Sequence, residues 1–218
     1  MGGGQEVGTG RVTVRIGDRN DRATQAARLV DGQLRALGID DEDGGWQTVA
    51  PSAVPFSADS RLPRELTIDE IKAIQDKFAD AARRAASAGF KWLEIHAAHG
   101  YLLHSFYSPL SNFRKDEYGG SFENRVRMLL ETVTKVKAVW PANLPLTVRL
   151  SASDWTEGGW TVDDSVKLAK LLKDLGVDLI DCSSAYVRGG DHYPYGPSWQ
   201  VPLAQQVKAL AGIATGAV

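Results

Sequence analysis

The chain has 218 residues, 43% of them hydrophobic, with 25 basic against 27 acidic side chains and a formal charge of -2. That balance offers no basic surface for nucleic acid and no charged tail. Its single cysteine, Cys182, excludes an intrachain disulfide and a protein-borne iron–sulfur cluster, and the absence of a long apolar run or a signal-peptide core points to a soluble, cytoplasmic protein with no membrane partner.

In chain order, Gly2 to Gly10 is glycine-rich but follows no strand, so it reads as a flexible terminus and not as a phosphate cradle. The stretch ATQAARLVDGQLRALG has amphipathic helical periodicity and predicts a short helix. Regular alternation starts at Thr67, which forms a capping-box pattern with Glu70 ahead of a helix striped by Ile71, Ile74, Phe78, Ala81 and Ala85 and closed by Gly89. The strand KWLEIHA follows, then a long polar loop. Ser121 opens the next helix, which buries Val126, Leu129, Leu130, Val133 and Val136 and is stopped by Pro141.

Beyond it come the strand PLTVRLSA, a glycine-containing loop, and a helix opened by Thr161 with Val166, Leu168, Leu171 and Leu172 inward and Gly176 at its end. The strand VDLIDCSS, a tyrosine- and glycine-rich loop, a short helix around Leu203 to Leu210 and a strand starting at Ile213 complete the series. Repeated strand–loop–helix units with long loops after the strands are the grammar of a (β/α)8 TIM barrel, an α/β fold. An open doubly wound sheet is the alternative, but it would carry a phosphate-binding glycine loop after its first strand, and none stands in that context.

Alternation along KWLEIHA puts Trp92, Glu94 and His96 on one face and Leu93 with Ile95 on the other. His96 should then be the last strand residue or sit just beyond it, Gly100 should release the chain, and His99 and Tyr101 can turn to the same mouth, where barrels keep their chemistry. Two imidazole N–H groups can hold one carbonyl oxygen, and a phenol can give a proton to a carbanion. Other readings stay open: histidines satisfied in core or loop with Tyr101 as packing, or a His-x-x-His metal pair with Glu94 or Asp116 nearby. Arg149, on an apolar strand, needs an anionic partner; Glu94 on the preceding strand is one candidate. Cys182 reads as core.

The run His96-Ala97-Ala98-His99-Gly100-Tyr101-Leu102, with Ser108-Pro109, Ser111-Asn112, Arg114, Asp116, Tyr118-Gly119-Gly120-Ser121 and Glu123-Asn124-Arg125, resembles the old yellow enzyme family, the flavin-dependent ene-reductases, in its compact bacterial branch. Ala50-Pro51-Ser52-Ala53 and Thr147-Val148-Arg149-Leu150-Ser151 extend the resemblance, from about Trp46 to Val218. It implies an FMN-dependent NADPH dehydrogenase working by a ping-pong cycle. His96 and His99 would hold the carbonyl oxygen of an α,β-unsaturated substrate or a related electrophile. Tyr101 would protonate its α-carbon, and Arg149 would contact the electron-rich edge of the flavin, where its charge favours the reduced anion. No metal is implied, and the lone cysteine speaks against the larger, cluster-bearing relatives. Asn112, Arg114, Asp116, Tyr118 and Arg125 are expected to build the loop and cap the helix at Ser121. His104 and His192 match no family role; Tyr186, Tyr193 and Tyr195 could line the same mouth.

The chain also departs from the family. A full barrel takes about 250 residues, so an incomplete barrel is expected, lacking a normal N-terminal part and the last strand–helix units. Residues 46–218 would be the partial barrel carrying the substrate site. Residues 1–45 would be an atypical segment without the family's His-Ala-Gly-Arg motif, through substitution or, as the abrupt return of the pattern at Ala50 favours, a slip of reading frame; disorder is the other expectation for it. Open edges would then invite association with other copies, and flavin would bind weakly or not at all. Two other functions remain open on the sequence: an inactive barrel fragment that only associates with other chains, and a metal-dependent barrel hydrolase.

Overall fold

The structure is a computed structural model that describes residues 47–58, 60–184 and 196–218. The expected helix at residues 23–38 and the residues His192, Tyr186, Tyr193 and Tyr195 lie outside them.

Two short parallel strands, β1 (Val49–Ala50) and β2 (Arg64–Glu65), lead into helix α1 (Ile68–Ser87). Thr67 caps α1 as its sequence predicts: its hydroxyl accepts from the Glu70 N–H at 3.2 Å, and the Glu70 carboxylate accepts from the Thr67 N–H at 2.9 Å. Of the expected stripe, Ile71, Ile74, Ala81 and Ala85 are buried and Phe78 is half-buried.

Strands β3 (Leu93–Ala97), β4 (Leu146–Ser151), β5 (Leu179–Ser183) and β6 (Ala214–Ala217) form one parallel sheet in sequential order. Helices α3 (Phe122–Lys137), α4 (Val162–Asp174) and α5 (Val201–Ala211) make the crossovers. Each strand lies beside its successor without a reversal of order, as in a barrel wall; a doubly wound sheet reverses at a switch point.

Register sorts the two faces. Leu93, Ile95 and Ala97 align with Leu146, Val148 and Leu150, and the last two with Ile180 and Cys182; all are buried in the core that the helices cover. The opposite face carries a row of His96, Arg149, Asp181 and Gly216, one from each strand. Ser151 and Ser183 sit one step beyond it, at the C-terminal ends of β4 and β5. A side chain at position 216 would come within 2.9 Å of Asp181 Oδ1, so glycine there leaves room for the carboxylate.

Several details differ from the sequence reading. Leu102–Tyr107, expected as loop, is a short helix, α2, with all six residues buried: Leu102, Leu103, Phe106 and Tyr107 lie three or four apart and share a face. The Tyr107 hydroxyl shares its proton between the carbonyls of Ala97 (2.8 Å) and Ser151 (3.2 Å) and accepts the Ser151 N–H at 3.1 Å. Helix α3 ends at Lys137, four residues before Pro141, and Leu171 is exposed where α4 was expected to bury it. Among the described residues no helix is long and apolar enough to cross a membrane.

The loop between α2 and α3 is built by the residues expected to build it. Asn112 Nδ2 donates to the carbonyls of Phe106 (2.6 Å) and Tyr118 (2.7 Å), and Arg125 Nε donates to that of Tyr107 (3.0 Å). Buried Arg114 donates through Nη1 to the carbonyls of Pro51 (2.9 Å) and Leu66 (2.6 Å) while its other nitrogens grip Asp116. It therefore ties the β1–β2 segment to the loop. Arg114→Ala, which orphans both carbonyls, should cost about 3 kcal/mol and lower the urea midpoint. Arg114→Lys, which cannot reproduce the planar fork, should recover only part. An unchanged midpoint in the alanine variant would refute this tie.

Candidate active site

The strand ends bring the expected residues together. His96, the penultimate residue of β3, lies with its ring centroid 5.0 Å from that of His99 and 5.2 Å from that of Tyr101, both edge to face. Arg149 pairs with His96 in the β3–β4 register. Three of the four come from β3 and the connection that follows it, and one from the next strand.

Local backbone geometry explains the clustering. His99 has φ of 61° and Gly100 of 74°, so the chain makes a left-handed turn that costs a non-glycine residue roughly 1–2 kcal/mol. Three hydrogen bonds hold it: the His99 N–H to Ser151 Oγ (2.8 Å), the Gly100 N–H to His104 Nδ1 (2.8 Å) and the Tyr101 N–H to the Ala98 carbonyl (3.2 Å). His104, assigned no role on the sequence, is fully buried in α2, and its Nε2 bonds Asp154 Oδ1 at 2.8 Å. Because Nδ1 accepts a backbone N–H, the ring proton lies on Nε2 and donates to Asp154. Asp154 Oδ2 also accepts from Ser108 Oγ (2.6 Å) and the Trp160 N–H (2.7 Å). Burial works to raise this carboxyl, but the His104, Ser108 and Trp160 hydrogen bonds outweigh it and hold the group below its ordinary value.

Arg149 finds its anion in Asp181, not in Glu94. The Nε to Asp181 Oδ2 distance is 3.6 Å, a charge pairing too long for a hydrogen bond, and Nη2 reaches Ser183 Oγ at 3.5 Å. Glu94 instead accepts from Thr147 Oγ1 at 3.2 Å. Register explains the exchange, since Arg149 stands opposite Asp181 and Thr147 opposite Glu94. Two buried nitrogens on this face, His96 Nδ1 and Arg149 Nε, have no hydrogen-bond partner among the described residues.

Both site histidines are held uncharged. His96 is lowered to about 4 by burial first and then by the Arg149 charge; His99 is lowered to about 3 by burial, then by His96 and Arg149. They are therefore neutral N–H donors across the physiological range. The metal reading gains no third ligand: Asp116 is engaged by Arg114, and among the described residues no three His, Cys, Asp or Glu side chains gather so as to hold a metal ion. Cys182 is core, its thiol pushed up to about 12 by burial and then by Asp181.

The sequence reading missed Ser151, Ser183, Asp181, His104, Asp154 and Tyr107. For His104 a signal existed, its i,i+4 spacing from Gly100 across a helix start. The serines and Asp181 carry none short of knowing the strand register.

Comparison with known proteins follows the same outline. The model of the NADH:flavin oxidoreductase / NADH oxidase family matches residues 30–216. An NADPH dehydrogenase of Bacillus velezensis is 52% identical over 169 residues, covering 78% of this chain and 49% of the relative. The chain thus spans about half the length of the curated relatives it matches. The solved old yellow enzyme homologue from Zymomonas mobilis superposes with a TM-score of 0.66 at 30% identity, over 83% of this chain and 53% of that one. A 2-naphthoyl-CoA reductase complex reaches 0.72 at 28% identity, over 84% and 30%. These are barrel enzymes, so the four-stranded sheet is part of a β/α barrel.

Depressed histidine values fix the sign of a pH effect. Unfolded, each imidazole titrates near 6.5; folded, near 4 and 3. Between those limits the unfolded chain binds more protons, so stability is full above about pH 6.5 and falls as pH drops through the window. His96→Asn/His99→Asn should flatten the decline of the urea midpoint between pH 6.5 and 4. An equally steep decline in the double variant would count against buried, neutral histidines.

Proposed function

The chain belongs to the NADH:flavin oxidoreductase / NADH oxidase family, and from that premise we propose that it carries the substrate side of an old yellow enzyme-like, FMN-dependent NADPH dehydrogenase that reduces the C=C bond of α,β-unsaturated carbonyl compounds. The observation that carries this reading is the pair of neutral imidazoles, edge to face at 5.0 Å, with Tyr101 beside His96 and the Arg149 guanidinium opposite it in the sheet.

The residues present fit a flavin. Arg149 Nε is buried without a hydrogen-bond partner among the described residues, and a guanidinium presents adjacent N–H groups in a plane. The pyrimidine edge of FMN offers adjacent acceptors to such a fork. His96 Nδ1 is a second buried nitrogen awaiting a partner. When bound, FMN supplies a hydride, drawn from NADPH, to the substrate β-carbon.

The chain's own residues do the remaining work. His96 and His99 donate hydrogen bonds to the substrate carbonyl oxygen, draw electron density from the double bond and stabilise the negative charge that builds on that oxygen. A neutral imidazole N–H is a poor acid, so these residues polarise the oxygen without protonating it. The proton on the α-carbon must come from another group, and the Tyr101 phenol stands 5.2 Å from His96, ring to ring. Asp181 balances the Arg149 charge from beside Nε, at 3.6 Å. Ser151 and His104 hold the turn from which His99 and Tyr101 project.

With FMN in excess, the purified chain should oxidise NADPH in the presence of 2-cyclohexenone. His96→Ala/His99→Ala should lower kcat/KM for the enone by about 10²–10³. Tyr101→Phe should slow enone turnover by about 10² or more. Enone reduction at the wild-type rate in the double histidine variant would overturn the reading.

A further inference from the structure

His99 Nε2 lies 2.6 Å from Ser183 Oγ, and two tautomers could satisfy that contact. Ser183 decides between them. It is buried at 3% exposure, so solvent does not satisfy its hydroxyl, and the Arg149 Nη2 group stands 3.5 Å away on the same oxygen. A guanidinium only donates, so it occupies one of the two lone pairs on the oxygen and cannot take the hydroxyl proton, which in this buried place needs an acceptor of its own. Among the described residues, the one acceptor within reach of that proton is His99 Nε2.

We propose that Ser183 is a positioning residue that fixes His99 as the Nδ1–H tautomer, so that Nδ1 is the nitrogen His99 offers to a substrate oxygen. The second histidine of the chain with a defined tautomer has the opposite one. His104 accepts the Gly100 N–H at Nδ1 and keeps its proton on Nε2. The same short segment thus holds two imidazoles of opposite tautomer, each set by what its neighbour can donate. The bond also draws on the cofactor-facing arginine: the group that would sense the flavin also orients the hydroxyl that orients the substrate clamp. The tautomer rests on geometry alone; its use in holding a carbonyl oxygen rests on the reaction proposed above.

With only four histidines in the chain, long-range proton–nitrogen correlation spectra of the 15N-histidine-labelled full chain at pH 7 can read each ring. The wild type should show His99 protonated at Nδ1 and His104 at Nε2. Ser183→Ala should convert His99 to an averaged or Nε2–H pattern while His104 keeps Nε2–H, which also reports an intact fold. Ser183→Thr, which retains the hydroxyl, should restore Nδ1–H. A wild-type His99 protonated at Nε2 overturns the proposal, as does an unchanged Nδ1–H pattern in a folded Ser183→Ala chain. Should Ser183→Ala fail to fold, the wild-type and Ser183→Thr spectra decide it. A chain that shows Nδ1–H yet reduces no enone would refute the reaction and leave the tautomer standing.

Discussion

A single buried carboxylate organises the strand ends. Asp154, 1% exposed, accepts from a ring nitrogen of α2, from the serine that ends that helix, and from a backbone N–H at Trp160. A carboxylate in such a place is tolerable only with all its acceptor sites engaged, so the three segments must converge for the charge to be borne. Their convergence places His104 where it can take the Gly100 N–H, and that bond sets the left-handed turn on which His99 and Tyr101 stand. The geometry of the candidate site is therefore set by a group outside it.

The sheet separates two tasks by face. Its helix side is filled with Val, Leu and Ile in register across β3, β4 and β5, which gives the strands a common apolar backing. Its other side carries the row His96, Arg149, Asp181 and Gly216. Within that row the charges are ordered: the cation lies between an imidazole, whose protonation it disfavours in addition to burial, and a carboxylate, which offsets its charge. A lysine in the same place would keep the sign but lose the planar donor set that reaches both Asp181 and Ser183.

Much of this was legible in the sequence where the signal is local. Thr67 with Glu70, and Thr161 at the start of its run, announce their helices because a cap is satisfied within three residues; the Asp164 half of the second cap shows only in the structure. The clustering of His96, His99 and Tyr101 was legible because a strand end and a glycine fix it nearby. What could not be read depends on register. Arg149 was offered Glu94 but takes Asp181, since strand pairing, not sequence order, sets which carboxylate stands opposite it. Ser183 looks like any strand-end serine until its distance to His99 is known. Helix α2 was hidden for another reason: six residues surrounded by polar loop sequence are too few to establish a period.

The hydroxyl of Tyr107 has a wider consequence. It meets the carbonyls of Ala97 and Ser151 and the N–H of Ser151 together, where the ladder between β3 and β4 runs out. One atom thus rivets a helix to the frayed margin of two strands, and the helix cannot tilt without prising the strands apart. His96 on β3 and Tyr101 at the start of the helix are thereby joined through one hydroxyl. Any displacement of that helix must then be shared by the ends of β3 and β4, so the spacing between His96 on the strand and His99 and Tyr101 ahead of the helix is set by the sheet and not by side-chain adjustment alone.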